Sequence, residues 1–127
     1  MVRAAHEQRE EAVMAAAALD LDRTLAALAD PTRRGVVDLL RQKPQRAGEL
    51  AAAFDMSAPA MSRHLRVLRK TGLVEEDELP DDARVRVYRL RPEPFARLRD
   101  WLDEVETFWT GQLDAFKAHA ERKKRRS

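Results

Sequence analysis

Cysteine is absent from all 127 residues, which excludes disulfides, thiolate metal sites and cysteine nucleophiles together. Nothing in the chain approaches the roughly 20 consecutive apolar residues that a membrane span needs. Residues 13–19 are apolar, but the run is short, mostly alanine, and preceded by Glu10 and Glu11 instead of a basic stretch. It therefore does not read as a signal peptide, and a cytoplasmic protein without membrane partners is expected. Catalytic groupings are missing as well. His6, His64 and His119 are scattered, no glycine-rich phosphate loop is present, and no nucleophile stands beside a plausible base, so an enzyme is not expected. There is neither an internal repeat nor a low-complexity linker.

What is present suits one domain with one hydrophobic core. Apolar residues make up 44% and charged residues 36%, the balance of a globular protein with a heavily charged surface. The net charge of +2 is small, and its distribution is more informative. Between residues 57 and 71 stand Arg63, Arg66, Arg69 and Lys70 with no acid among them. Between 93 and 116 stand Glu93, Asp100, Asp103, Glu104, Glu106 and Asp114 against only Arg97 and Arg99. Such asymmetry points one region at a polyanion and leaves the other for water or a partner subunit, although two solvated helix faces would look the same.

Residues 1–20, rich in alanine and glutamate, read as a helical extension with only a weak apolar stripe. A helix is expected over 21–29, with Leu21, Leu25 and Leu28 at helical spacing. Asp30-Pro31 then supplies an N-cap and a first-turn proline for a second helix to about Arg41, burying Val36, Val37, Leu39 and Leu40. Gly35 inside it costs roughly 1 kcal/mol relative to alanine, which points to a close packing contact. After Lys43-Pro44-Gln45, a short third helix is predicted over 47–54, then the turn Asp55-Met56-Ser57, then a fourth helix over 58–71. Ser57 caps that helix, Pro59 sits in its first turn and Gly72 stops it. Two short helices about a tight turn, the second rich in arginine, have the layout of a helix-turn-helix. Strands predicted over 73–78 and 84–90, joined through Pro80-Asp81-Asp82, form a β-hairpin directly after it, which is a wing. Pro92 and Pro94 open a long final helix to about His119, whose apolar stripe is Phe95, Leu98, Leu102, Val105, Trp109, Leu113 and Phe116, widened by Trp101 and Phe108. Residues 121–127 form a basic tail, expected to fray.

The expected fold is thus mainly α with some β: a winged helix-turn-helix over 21–98, a terminal dimerisation helix over 99–120 and the tail. In this order the sequence resembles the ArsR/SmtB family of bacterial winged-helix repressors. The matching text is Ala27-Leu28-Ala29-Asp30-Pro31-Thr32-Arg33-Arg34, then Gly48-Glu49-Leu50-Ala51, then the whole of 57–74, and finally Val87-Tyr88-Arg89-Leu90. The resemblance covers about residues 21–98. It implies a homodimer on a short inverted repeat of double-stranded DNA, acting as a repressor, with an inducer that changes DNA affinity.

Helical periodicity divides the fourth helix into a buried stripe of Met61, Leu65 and Leu68 and an outer face of Ser62, Arg66 and Arg69, flanked by Arg63 and Lys70. The N-terminal half of such a helix enters the major groove, where Ser62 and Arg63 would meet base edges; arginine can bond both guanine acceptors there. Ala58 and Pro59 offer apolar contact only. Arg66 and Arg69 would grip phosphates, and Ser57 would serve as cap and phosphate donor together. His64 is open between a DNA contact and a bond to a neighbouring backbone group. The wing tip, Asp81-Asp82, is acidic where family wings often carry basic tips, which leaves Arg84 and Arg86 of the second strand to reach the DNA backbone.

The family's thiolate metal site follows a Glu-Leu-Cys-x-Cys pattern. This sequence has Glu49-Leu50-Ala51-Ala52-Ala53, with alanine at both thiolate positions. Near the second family site only Asp114 and His119 occur, five residues or about 500° apart around a helix, so they do not face one another. A zinc site needs three or four converging ligands, and neither a metal nor another cofactor is expected. The final helix reads instead as a dimer interface through Leu102, Val105, Trp109, Leu113 and Phe116, together with Leu21 and Leu25 of the first helix, since closed two-fold pairing matches a palindromic operator. A small apolar inducer between these helices is one further expectation. The rival to all of this is a winged-helix protein-interaction module without DNA contacts, which a salt titration separates.

Overall fold

The computed structural model describes residues 2–126, apart from the side chains of Val2, Arg3 and Ala83. Met1 of the expected extension and Ser127 of the expected tail lie outside the described residues. The elements are α1 (Val2–Leu28), α2 (Pro31–Leu40), α3 (Ala47–Ala53), α4 (Ala58–Lys70), β1 (Val74–Leu79), β2 (Asp82–Leu90) and α5 (Pro92–Arg126). The chain divides into two compact units, 1–95 and 96–127. The first is a winged helix-turn-helix and the second is helical throughout its described length.

Local chemistry sets most of the boundaries. Asp30 has extended backbone and accepts the Arg33 N–H at 2.9 Å, and Pro31 takes the position where no N–H is needed. The same turn also closes α1 from outside. Arg33 Nε donates to the Ala27 carbonyl at 2.7 Å, and Arg34 donates to those of Leu28 and Ala29 at 2.9 and 3.1 Å. Two guanidinium groups thereby satisfy carbonyls that a helix end leaves without partners. At α3, Glu49 accepts the Arg46 N–H at 3.3 Å, the reach-back half of a capping box.

Both α3 and α4 end in the same motif. After α4, Leu73 N–H bonds the Leu68 carbonyl and Gly72 N–H that of Arg69, each at 3.0 Å, with Gly72 at φ +77°. After α3, Met56 N–H bonds the Ala51 carbonyl at 2.9 Å and Asp55 N–H that of Ala52 at 3.2 Å, with Asp55 at φ +51°. This is the paired 6→1 and 5→2 closure of a Schellman end, and it makes the turn between the two helices. In the second case aspartate, not glycine, occupies the left-handed position.

The core of the first unit gathers Val36 and Leu40 of α2, Leu50 and Ala51 of α3, Met61, Leu65 and Leu68 of α4, and Leu73 and Val74 at the start of the wing. Burying each large side chain is worth about 1.5–3 kcal/mol, so the three from α4 dominate its docking. β1 and β2 pair antiparallel, Val74 opposite Leu90 and Leu79 opposite Asp82, with a register shift between Glu78 and Leu79. The strands therefore approach more closely than expected: Asp82, read from sequence as turn, belongs to β2, and only Pro80-Asp81 connects them. Gln45 exchanges backbone bonds with Tyr88 at 2.8 and 3.1 Å, tying the segment before α3 to the wing.

Two expectations change. The helix expected to begin near Leu21 is continuous with the N-terminal extension as α1. Within it the buried residues are Thr24, 3% exposed, and Ala27; Leu28 is half-buried, as is Leu21, while Leu25 is exposed. At the other end, residues 121–126 continue α5 instead of fraying.

Candidate nucleic-acid interface

α4 is held by one face and offers the other. Ser57 has extended backbone and its hydroxyl accepts the Ala60 N–H at 3.3 Å, so it caps the helix. Ser57, Ala58 and Pro59 are exposed at the N-terminus, and Ser62, Arg63 and Arg66 are exposed along the outer face. Met61, Leu65 and Leu68 are buried opposite. Arg63 and Arg66 make no hydrogen bond or ion pair with the described residues, and no acid occurs in α4. A helix end with unsatisfied N–H groups, followed by unpaired guanidinium groups, is suited to phosphate and base-edge contact.

His64 lies on the flank of α4, largely buried, with Nδ1 3.9 Å from Asp30 Oδ2. To the DNA contact and the backbone bond left open for it from sequence the structure adds a third feature, proximity to the carboxylate that caps α2. The Arg33 N–H holds the Asp30 carboxyl below the ordinary aspartate value; the charges of Arg33 and His64 act in the same direction and partial desolvation opposes them.

The remaining arginines are not equivalent. Arg69 Nη1 lies 2.8 Å from Glu76 Oε2, and Arg86 Nη1 lies 3.2 Å from Glu76 Oε1. One carboxylate thus joins the C-terminal turn of α4 to the wing. Arg69, expected with Arg66 to grip phosphate, is engaged by the β1 acid as well. Arg84 is different again, with its side chain 95% exposed and Nε 3.7 Å from Asp82 Oδ1. Asp82 also accepts the Arg84 N–H at 3.0 Å. Arg89 Nε pairs with Asp77 Oδ2 at 2.8 Å across the strands. Tyr88 is pushed above the ordinary tyrosine value by burial first, and next by the charge of Glu76.

The acidic character of the wing therefore extends beyond its tip. Glu75 and Glu78 of β1 stand opposite Arg89 and Arg86 of β2, while Glu76 and Asp77, opposite Tyr88 and Val87, reach their arginines diagonally. Sequence reading singled out Asp81 and Asp82 and missed Glu76. Its signal was present, four acids in one strand and alternating arginines in the next, but selecting the partner required the register.

Around the apolar stripe of α5, Phe95 packs against the core of the first unit and Val105 is half-buried. Leu102, Trp109, Leu113 and Phe116 are exposed, Trp109 at 60% and Phe116 at 72%. Within one chain this face is not core. Among the described residues no three His, Asp or Glu side chains converge as a metal cluster would require, and no helix is long and apolar enough to cross a membrane.

A family model described as bacterial regulatory protein, arsR family, matches residues 30–76, which take in α2, the helix-turn-helix and the first half of β1. The HTH-type transcriptional regulator Rv2034 of Mycobacterium tuberculosis is 44% identical over 95 residues, 75% of this chain and 83% of that protein. The transcriptional repressor SdpR of Bacillus subtilis is 34% identical over 56 residues, 44% of this chain and 62% of the relative. Among solved structures, the homodimeric winged helix-turn-helix DNA-binding domain Mb0332 of Mycobacterium bovis superposes with a TM-score of 0.59 at 30% identity, covering 74% of this chain and 84% of that one.

Proposed function

The chain belongs to the arsR family of bacterial regulatory proteins, and from that premise we propose that it regulates transcription as a homodimer whose two α4 helices read a two-fold symmetric duplex operator. The observation that carries this reading is the outer face of α4, where Arg63 and Arg66 are exposed and unpaired on a helix anchored by three buried side chains. In this arrangement Ser62 and Arg63 face base edges in the major groove, with Ala58 and Pro59 in apolar contact. Arg66 grips phosphate, and Ser57 with the helix N-terminus holds a second phosphate. Arg69, Arg84 and Arg86 add attraction to the backbone, each lessened by the acid beside it.

Dimerisation is supported by the exposed apolar face of α5, through Leu102, Val105, Trp109, Leu113 and Phe116. Leu21 and Leu25 on the flank of α1 offer a further apolar surface. A contiguous apolar face of this kind is rare on a monomer and marks association. Repression is the favoured output, in keeping with the repressor among the relatives, and DNA as partner supports a cytoplasmic location. Alanine at residues 51, 52 and 53 supports a regulator that senses no soft metal through α3.

Selection of bound sequences from random duplex DNA tests the reading. A two-fold symmetric motif with half-sites one or more helical turns apart is expected. Binding of the selected duplex should weaken steeply with salt, by about 0.9 in log–log slope per phosphate neutralised. No duplex binding at low salt, or a flat salt dependence, would favour a protein-interaction module instead.

A further inference from the structure

The Arg69–Glu76–Arg86 cluster has a geometry that bears on discrimination, not merely on attachment. Each Glu76 oxygen receives one guanidinium group, from α4 at 2.8 Å and from β2 at 3.2 Å. The Glu76 side chain is only 12% exposed, whereas those of Arg69 and Arg86 are 53% and 59% exposed. The carboxylate is thus the buried member of the cluster, and about half of each arginine side chain is open to solvent. A guanidinium carries five N–H donors, so an arginine that spends one or two on Glu76 retains others for a phosphate oxygen.

Resting on the DNA-binding reading above, we propose that Glu76 is a specificity-determining residue, one that restrains Arg69 and Arg86 so that they engage phosphate in a single geometry. Two physical effects follow from one carboxylate. It lowers the charge of the cluster from +2 to +1, which reduces attraction to any duplex, because non-specific binding is almost wholly phosphate-driven. It also fixes the wing to the last turn of α4, so the remaining donors are aimed where the backbone passes when α4 is seated on its base edges. On a random sequence the first effect costs affinity and the second returns little. On the operator the second compensates the first. Glu76 therefore widens the gap between specific and non-specific binding.

The experiment compares the wild-type chain with E76Q, E76D and E78Q on two probes, the duplex recovered by selection and a scrambled duplex of the same length and composition, from low to moderate salt. Glu78 is exposed on the same strand and stands opposite Arg86 in the register without an ion pair to it, so E78Q changes the net charge equally without removing a contact of the cluster. For E76Q, affinity for the scrambled duplex should rise roughly fivefold to tenfold at 0.1 M salt, with a log–log slope steeper by about 0.9, as for one further phosphate neutralised. Affinity for the selected duplex should rise less or fall, so the ratio narrows. E76D keeps the charge but shortens the reach; it should leave the slope for the scrambled duplex unchanged while weakening the selected duplex. E78Q should leave the ratio as in wild type. Equal gains on both probes for E76Q, an unchanged slope for E76Q, unchanged binding of the selected duplex by E76D, or an E78Q ratio that narrows like that of E76Q would each overturn the proposal. If the wild type binds neither duplex, the DNA-binding reading itself has failed, an outcome distinct from these.

Discussion

The Phe54 ring lies against the backbone of Gly35 so closely that a Cβ on Gly35 would stand 2.6 Å from ring carbon Cε1 and 2.7 Å from Cζ. Real Cβ atoms essentially never come so near, so the C-cap of α3 and the middle of α2 fit together only because residue 35 has no side chain.

Gly35→Ala should therefore destabilise the protein although alanine is the better helix former. Overpacking costs about 1–3 kcal/mol and the propensity gain returns about 1, leaving a net loss of up to about 2 kcal/mol in urea unfolding. Adding Phe54→Leu should recover part of it. A Gly35→Ala variant more stable than wild type would show that the ring moves aside freely.

Asp55 turns the chain between α3 and α4 with φ +51°. Asp55→Gly should raise stability by up to about 1 kcal/mol, and Asp55→Val should lower it by about 1–2, because a β-branched residue fits the left-handed region worst. Thermal unfolding of the three proteins side by side checks this order.

The Asp30 carboxyl is held below its ordinary value by the Arg33 N–H that it caps. A depressed folded value means that the charged cap contributes stability above the unfolded value near 3.9, and that this contribution is lost as pH falls through the folded value below it. Asp30→Asn keeps a capping oxygen but no charge. The stability difference between wild type and this variant should shrink as pH falls from about 5 to below about 4. A difference that grows over that acid range would contradict the assignment.

Among the cations of the interface, Arg63 is unpaired on α4 and Arg84 is nearly fully exposed beside Asp82. Arg63→Ala should cost about 1–3 kcal/mol in binding the selected duplex and relax its sequence preference. Arg84→Ala should cost less and act equally on all sequences. Titration of both variants on selected and scrambled duplexes decides between them, and the reverse order would remove Arg63 from the base-reading role.

Much of this arrangement was legible because it depends on neighbours in sequence. Asp30-Pro31, Ser57 and Gly72 are caps and stops whose partners lie within a few residues, so their spacing specifies α2 and α4 directly. The 3.6-residue period of Met61, Leu65 and Leu68 likewise separates the docked face of α4 from its outer one. The inner face of α1 was harder: Leu21 and Leu25 were assigned to a dimer interface, and nothing in the sequence singled out Thr24 and Ala27, the residues that are buried. The Glu76 partner of Arg69 went unseen because it lies in another element.

By itself the sequence determined the helix-turn-helix, the wing and the cationic face of α4, since each follows from short-range periodicity and backbone preference. Tertiary structure alone decided that Phe54 closes over Gly35, that Gln45 joins β2, and that Glu76 takes both Arg69 and Arg86. Charge and hydrophobicity say what a side chain can pair with. Only register and packing, which bring distant segments within a few ångströms, choose the partner.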